Sequence, residues 1–240
     1  MKNHELITFA SADELAQAGA SDWLHAIAAA NDASASYCVA LSGGRISLKF
    51  FNAFVDQASA RRISTRLVHF FWADERCVPP DDAESNFRTA HELLFTPLRI
   101  DDAQIHRIRG EDSPEIAAQK ALMEISRIAP KNPGGLPVLD LIFLGMGEDG
   151  HVASLFPGKT EGTLPAEIFC PVKHSPKPPP DRVTLSYSTI AAAKNVWVLA
   201  SGAGKKPALL DSLSPKGCTP LARVIQSRQN TKIFCDFQTG

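Results

Sequence analysis

The segment Asp149-Gly150-His151 places a carboxylate and an imidazole two positions apart around a glycine. The unperturbed pKa of histidine, about 6.5, suits its neutral ring to act as a general base near neutral pH. A carboxylate in the same loop can orient that ring. The segment therefore predicts proton-transfer chemistry, with His151 and Asp149 as candidate catalytic residues. In the alternative interpretation, Asp149 caps a short helix that begins near His151.

Other polar segments supply groups that could bind an anionic, hydroxylated ligand. Arginine offers a fork of N–H donors to phosphate, lysine offers a compact charge, and the amides at a helix start also favour an anion. Each charged residue alone is more often a solvated surface group, so the expectation depends on their convergence. The candidate binding residues are Ser42, Gly43, Gly44, Arg45, Asp74, Arg76, Arg182 and Lys205.

Metal binding is not expected, because no H-x-x-x-H or C-x-x-C spacing accompanies the candidate histidine.

Two glycine motifs also give little support to a nucleotide site. Residues 145–150 match G-x-G-x-x-G, but a dinucleotide site needs a helix opening at the last glycine, and Pro157 would close it within two turns. Gly204-Lys205 resembles the end of a P-loop, yet the first glycine position is Leu199. No cofactor is predicted.

Apolar runs precede most of these polar segments, and stretches with helical spacing separate the runs. Ser11 and Glu14 fit a capping box at the start of the first helix. Residues 175–180 are proline-rich and predict a surface loop. The predicted strands cover residues 37–41, 67–72, 139–144, 195–200 and 232–237, with a further strand starting at Arg182. The predicted helices cover residues 12–30, the stretch after Gly44, 86–94, 114–129 and 205–213.

Near-continuous apolar strands alternating with helices indicate an α/β fold, with a mainly parallel sheet and helices on both faces. Ligands of such sheets lie beyond the carboxyl ends of the strands. The loops beginning at Ser42, Asp74, Gly145 and Gly202 are therefore expected to converge on one crevice.

The whole chain, 240 residues of which 44% are hydrophobic, predicts one domain spanning residues 1–240. Its formal net charge of −1 provides no overall field to attract nucleic acid or a membrane surface. No run of about 18 apolar residues predicts a membrane span. The five cysteines are widely spaced, which indicates a reduced compartment and a cytoplasmic protein. Monomer and homodimer both stay open.

In their order along the chain, these segments resemble the 6-phosphogluconolactonase family. The resemblance covers nearly the whole chain, and its central motif is long. The matching motifs are Ser42-Gly43-Gly44, Trp72 to Arg76 with Val78-Pro79 and Ser85-Asn86, Asp140 to Pro157, Arg182 to Ser186, and Gly202 with Lys205.

The resemblance implies hydrolysis of 6-phospho-D-glucono-1,5-lactone, a step of the oxidative pentose phosphate pathway, without a metal ion or organic cofactor. It also implies a Rossmann-like sheet shared with glucosamine-6-phosphate deaminases and ribose-5-phosphate isomerases. On this basis His151 activates water and Asp149 orients the ring or its loop. Some of Arg45, Arg182 and Lys205 hold the phosphate. Asp74 and Arg76 contact sugar hydroxyls or shape the cavity, and amides near Gly44 and Gly147 stabilise the oxyanion.

Two differences separate the chain from the related deaminases. These enzymes carry Asp-Glu-Tyr where the chain has Asp74-Glu75-Arg76, and a ring-opening glutamate where it has Phe156. A lactone has no hemiacetal to open, so this loss fits hydrolysis. The chain also departs from the S-G-G-S-T-P turn of the lactonases at Arg45-Ile46-Ser47, where Arg45 could replace hydroxyl donors with a charged phosphate contact. Val152 replaces a frequent threonine.

Two other classes of function stay open. Residues 40–44 are a small-residue variant of a nucleophile elbow, which would make the protein a serine hydrolase using Ser42. Against this, Ser42 follows the first recognisable strand, so little chain precedes it. A non-catalytic sugar-phosphate sensor is the other class, but the residues before that strand predict one helix and no DNA-binding helix pair.

Overall fold

A six-stranded parallel sheet forms the centre of the computed structural model, which describes residues 3–160, 162–164 and 167–238. The strands are β1 (His4–Thr8), β2 (Tyr37–Leu41), β3 (Val68–Trp72), β4 (Asp74–Arg76), β5 (Leu141–Gly145), β6 (Phe169–Val172), β7 (Arg182–Leu185), β8 (Asn195–Ala200) and β9 (Thr231–Cys235). The order in the large sheet is β1-β9-β8-β5-β2-β3, and its neighbours all pair in parallel.

Every residue of β2 and the first four of β5 are buried. Because successive side chains of a strand point to opposite faces, both faces of the sheet are covered there. This confirms the predicted α/β class and explains why the strands appear as unbroken apolar runs in the sequence. The chain leaves β2 towards β3 on one side, while β5, β8 and β9 lie on the other. The boundary between β2 and β5 is therefore a switch point, where such sheets bind ligands.

Helices connect the strands. They are α1 (Ala12–Asp32), α2 (Arg45–Arg61), α3 (Asn86–Ala90), α4 (Thr96–Leu98), α5 (Pro114–Ile128), α6 (Tyr187–Ala192), α7 (Lys206–Leu213) and α8 (Pro220–Gln226). A π-helix, His91–Phe95, continues α3, and 3₁₀ turns occupy Asp102–Gln104 and Ala203–Lys205. The helices expected at 12–30, after Gly44, and at 114–129 are confirmed. Those expected at 86–94 and 205–213 are confirmed with a π-helical and a 3₁₀ portion, respectively.

The start of α1 shows how the local sequence fixes an element. The hydroxyl of Ser11 accepts a hydrogen bond from the amide of Glu14 at 3.2 Å, as the capping pattern predicts. The Glu14 carboxylate accepts from the amide of Ala10. Further along, Trp23 is fully buried and packs on Phe54 and Phe143, with ring centroids 4.0 and 4.9 Å away. This aromatic contact anchors α1 to α2 and to the sheet.

A second, antiparallel sheet of order β4-β7-β6 adjoins the carboxyl ends of the large sheet. The strand beginning at Arg182 is confirmed, but its pairing with residues 74–76 was not predicted. In that pairing Arg76 lies opposite Arg182, and Asp74 lies opposite Thr184. The small sheet therefore brings two chain segments more than a hundred residues apart to the same edge of the crevice.

Two sequence expectations were wrong. Strand β1 precedes β2, so Ser42 does not follow the first strand of the chain. The segment His4–Thr8 escaped prediction because it is short, half-buried and interrupted by the exposed Glu5. The loop from Gly147 to Gly158 consists of turns and isolated bridges, so no helix begins near His151 or at Gly150. Asp149 therefore caps no helix, and the helix that a dinucleotide site requires is absent from this segment.

Within the described residues, no helix has the length and apolar character needed to cross a membrane.

Candidate active site

The loops that follow β2, β3, β5 and β8 meet around one cavity at the switch point. This confirms their predicted convergence, and the cavity contains all eight predicted binding residues and the predicted catalytic histidine. The cavity is lined by Ser42, Gly43, Gly44, Arg45, Ile46, Asp74, Arg76, Asn86, Gly145, Met146, His151, Ala153, Arg182 and Lys205.

His151 and Asp149 form a close pair in the loop after β5. Nδ1 of His151 lies 2.5 Å from Oδ1 of Asp149, which also accepts the His151 amide at 3.3 Å. A carboxylate so close to Nδ1 requires a proton on that nitrogen. Nε2 of the neutral ring is then the unprotonated nitrogen and can accept a proton. The geometry suits His151 to general-base chemistry, with Asp149 fixing its tautomer.

The loop backbone makes room for this pair. A methyl group added at Gly147 would lie 2.0 Å from Nδ1 of His151, so a side chain at this position would displace the imidazole. The Gly147 amide donates to the carbonyl of His151 at 2.9 Å. That amide is therefore engaged within the loop, although it was expected to lie near the oxyanion.

Burial and neighbouring charges set the protonation of the pair. Burial lowers the pKa of His151, Lys177 acts in the same direction, and Asp149 opposes both. Burial disfavours the ionised form of Asp149, but the hydrogen bond from His151 and the charge of Lys177 hold its pKa below the usual value. The pair is thus poised as a neutral imidazole beside a carboxylate, which is the state that a general base requires.

Asp74 is a buried carboxylate that lines the same cavity. Its Oδ2 accepts the Ser154 hydroxyl at 2.8 Å, and its Oδ1 lies 3.5 Å from the hydroxyl of Ser42. The Ser42 hydroxyl also lies 3.5 Å from the amide of Gly145. Ser42 has a negative φ, so it lacks the strained backbone of a nucleophile elbow, and the bonds of its hydroxyl involve no histidine among the described residues.

Arg182 is buried, and most of its donors are already engaged. Nε donates to the carbonyl of Pro179 at 2.9 Å, while Nη2 donates to those of Lys177 and Pro178 at 3.1 and 2.9 Å. Nη1 lies 3.4 Å from the hydroxyl of Ser154. One N–H of Nη1 remains for a ligand. Arg182 therefore holds the proline loop and cannot offer the fork that was expected to bind phosphate.

Arg76 is tied to the loop before α3. Its Nη1 donates to the carbonyl of Glu84 and lies 3.8 Å from a carboxylate oxygen of the same residue. Its Nε is a buried nitrogen that has no hydrogen-bond partner in the described part of the chain. An unpaired buried donor in a cavity wall is stabilised when a ligand oxygen reaches it.

Another part of the cavity lining is positively charged. Helix α2 begins after Gly44, which has φ 103° and no side chain to cap the first amides. Arg45 is the first residue of this helix, and Lys205, at the end of the loop after β8, lines the same cavity. Burial lowers the pKa of Lys205, and the charge of Arg45 lowers it further. An anion between the two cations and the helix start would relieve this repulsion.

Scaffolding residues that the sequence did not reveal as such hold these parts of the cavity lining in place. The Glu75 carboxylate accepts the amides of Asn86 and Phe87 at 2.8 and 2.7 Å, and burial raises its pKa to about 7. The Asn86 side chain donates to the carbonyl of Asp74 at 2.9 Å. Beyond the loop after β8, Asp236 accepts the Gly202 amide at 2.8 Å. Glu75 and the Ser85-Asn86 motif were both noted in the sequence, but neither indicated a structural role.

No group of three or more histidine, cysteine or acidic side chains suited to a metal ion occurs in residues 3–160, 162–164 and 167–238.

The sequence pattern of the family described as glucosamine-6-phosphate isomerases/6-phosphogluconolactonase matches residues 10–234. The chain belongs to this family. A 6-phosphogluconolactonase of Treponema pallidum is 37% identical over 76% of the chain and 75% of its own length. The 6-phosphogluconolactonase of Mycobacterium tuberculosis is 34% identical over 95% of the chain and 94% of its own length.

Solved structures show the same architecture. The crystal structure of a devB protein superposes with a TM-score of 0.87 at 33% identity, covering 97% of the chain and 96% of that protein. A monomeric glucosamine-6-phosphate deaminase superposes with a TM-score of 0.78 over 98% of the chain and 97% of its own, at 16% identity. The second likeness shows a shared fold alone, and it confirms the expected similarity to the deaminases in fold.

Proposed function

We propose that the protein hydrolyses 6-phospho-D-glucono-1,5-lactone to 6-phospho-D-gluconate, with His151 as the general base. The observation that carries the proposal is that His151, paired with Asp149, lines the same cavity as the uncapped start of α2, Arg45 and Lys205. One part of the cavity suits proton transfer and another suits a phosphate. Relatives that match most of the chain are named 6-phosphogluconolactonase.

In this proposal the phosphate lies against Arg45, Lys205 and the first amides of α2. A phosphate dianion offsets the mutual repulsion of the two cations and accepts hydrogen bonds from the free amides at the helix start. Asp74 and Arg76 line the part of the cavity left for the sugar hydroxyls. Arg182 acts indirectly, since its donors hold the proline loop.

The reaction follows from the tautomer of His151. Nε2 removes a proton from water while the water oxygen bonds to the lactone carbonyl carbon, which gives a tetrahedral oxyanion. The bond from that carbon to the ring oxygen then breaks, and the ring oxygen takes the proton back from Nε2. The product acid ionises and releases one proton. The Gly147 amide donates to the carbonyl of His151 and is therefore not available to the oxyanion.

The same cavity is poorly suited to deaminase chemistry. At the position of the deaminase glutamate, the ring of Phe156 packs against His151 with centroids 4.8 Å apart. The same ring also contacts Arg182, whose guanidinium carbon lies 5.6 Å from the ring centroid. An apolar ring can neither donate nor accept the proton needed to open a hemiacetal, whereas lactone hydrolysis needs no such group.

The test generates the lactone in situ with glucose-6-phosphate dehydrogenase and follows acid release with and without the protein. We expect acceleration over spontaneous hydrolysis, and no ammonia release from glucosamine 6-phosphate. Absence of any acceleration would refute the proposed function. Ammonia release would instead assign the chain to the deaminase branch of the family.

A further inference from the structure

Lys177 in the proline loop contacts both members of the proposed catalytic pair, although the mechanism above gives it no role. Its Nζ lies 3.3 Å from Nδ1 of His151 and 3.4 Å from Oδ2 of Asp149. The side chain reaches this position from the loop between β6 and β7, whereas the pair belongs to the loop after β5.

The short contact within the pair decides which group the ammonium binds. Nδ1 of His151 carries a proton because it lies 2.5 Å from Oδ1 of Asp149. It therefore has no lone pair to accept from Lys177, whose ammonium has only donors. Lys177 consequently pairs with the second carboxylate oxygen, Oδ2. Its ammonium also lies beside the His151 ring. The ring would become positive on protonation, so the ammonium charge disfavours that protonation.

This arrangement separates two effects of Asp149. A carboxylate bound to Nδ1 orients the ring, but it also stabilises the imidazolium and so favours a base that is already protonated. A cation on the other carboxylate oxygen offsets that charge while the hydrogen bond to Nδ1 stays in place. Nε2 can then remain unprotonated at a lower pH.

The loop is built to hold Lys177 in position. The carbonyl of Lys177 accepts from Nη2 of Arg182 at 3.1 Å and from the hydroxyl of Ser175 at 2.9 Å. The amide of Lys177 in turn lies 3.2 Å from the same hydroxyl. The amide of Ser175 donates to the carbonyl of Pro180 at 2.8 Å, which closes the loop. These bonds fix the backbone from which the ammonium extends. The buried Arg182 therefore helps to hold Lys177 in place.

We propose that Lys177 is a positioning residue that neutralises the charge of Asp149 at the catalytic pair and so keeps Nε2 of His151 free to accept a proton. The role of the pair rests on the proposed function, whereas the electrostatic effect on His151 exists in the free protein. The other charged groups around His151 are Asp74, Arg45, Arg76, Arg182 and Lys205, which line the same cavity.

The test measures the titration of His151 by nuclear magnetic resonance without substrate, with its signal identified by its loss in His151→Gln. Lys177→Met removes the charge and keeps most of the stem. We expect the pKa of His151 to rise in this variant and to stay near the wild-type value in Lys177→Arg. Lys173→Met is the matched control, because Lys173 is exposed and pairs with Glu115 at 2.6 Å.

The kinetic arm measures kcat/KM for the lactone from about pH 5.5 to 7.5. The acid limb of Lys177→Met should move to higher pH, so that its deficit relative to wild type grows as the pH falls. An unchanged His151 titration in Lys177→Met, or an equal shift in Lys173→Met, would overturn the proposal. Failure of the wild type to hydrolyse the lactone would instead refute the proposed function, and the magnetic resonance titration would still decide the role of Lys177.

Discussion

Replacing Gly43 with alanine should destabilise the protein by wedging the turn after β2 against α3. The added methyl group would lie 1.9 Å from Oδ1 and 2.6 Å from Cγ of Asn86. Asn86 is only 4% exposed, and its Nδ2 donates to the carbonyl of Asp74 at 2.9 Å. The side chain therefore cannot move away without breaking that bond.

The magnitude follows from these contacts. Overpacking of a rigid site costs about 1–3 kcal/mol, and leaving a buried carbonyl without its donor costs about 1–3 kcal/mol. We expect Gly43→Ala to lower the free energy of unfolding by about 2–6 kcal/mol. Backbone strain contributes little, because Gly43 does not have a positive φ.

Denaturant unfolding of a double-mutant cycle with Asn86→Ala isolates the clash. Truncation of Asn86 removes the atoms that the new methyl group would meet, so Gly43→Ala should cost less than about 0.5 kcal/mol in that background. The same cost in both backgrounds would show that steric conflict with Asn86 is not the cause. A cost below about 0.5 kcal/mol in the wild-type background would show that the turn accommodates the methyl group without steric conflict.

Three further predictions concern the cavity and the stability of the fold. Arg45→Ala and Lys205→Ala should each reduce kcat/KM for the phosphorylated lactone about tenfold to a hundredfold and leave hydrolysis of unphosphorylated glucono-1,5-lactone unchanged; an equal loss for both substrates would contradict phosphate binding. Ser42→Ala should keep about a fifth or more of the wild-type kcat/KM, since it loses only weak hydrogen bonds, and complete inactivation would favour a serine nucleophile. Burial lowers the pKa of both His69 and His106, so each binds more protons in the unfolded chain and should lower the free energy of unfolding as the pH drops below about 6.5, while the raised pKa of Glu75 acts in the opposite direction. A His106→Gln variant should show a shallower dependence in denaturant titrations at several pH values, and an unchanged slope would exclude this histidine as the cause.

Much of the central sheet was predictable from the sequence because its strands are buried on both faces. Unbroken apolar runs such as Tyr37–Leu41 indicate covered strands, and the polar residues that follow them mark the cavity edge. The family resemblance was also predictable and is confirmed. Strand β1 escaped because an edge strand that is half exposed carries no such run.

The antiparallel sheet escaped for a different reason. Strand β4 has only three residues, Asp74–Arg76, and all of them are charged, so no periodicity indicates a strand. Its partner β7 lies more than a hundred residues later, and a sequence does not record which distant segments pair. The same limit applies to Arg182, where sequence indicates a free guanidinium and the structure shows donors engaged by the carbonyls of residues 177–179.

The contact of Lys177 with the catalytic pair was also beyond sequence analysis. The proline content of residues 175–180 correctly predicts a surface loop, but it does not show that the loop folds back on His151. Asp149 and His151 were recognisable because they are two residues apart. A charge that reaches the pair from another sheet becomes visible only when the tertiary contacts are known.

In the proposed reaction His151 accepts the proton from the attacking water. The most direct measurement compares kcat/KM of wild type and His151→Ala on lactone generated in situ near neutral pH, with spontaneous hydrolysis subtracted. His25→Ala serves as the control, because His25 is exposed on α1. We predict a loss of about 10²–10⁴-fold in His151→Ala and none in His25→Ala. Full activity of His151→Ala would contradict the account.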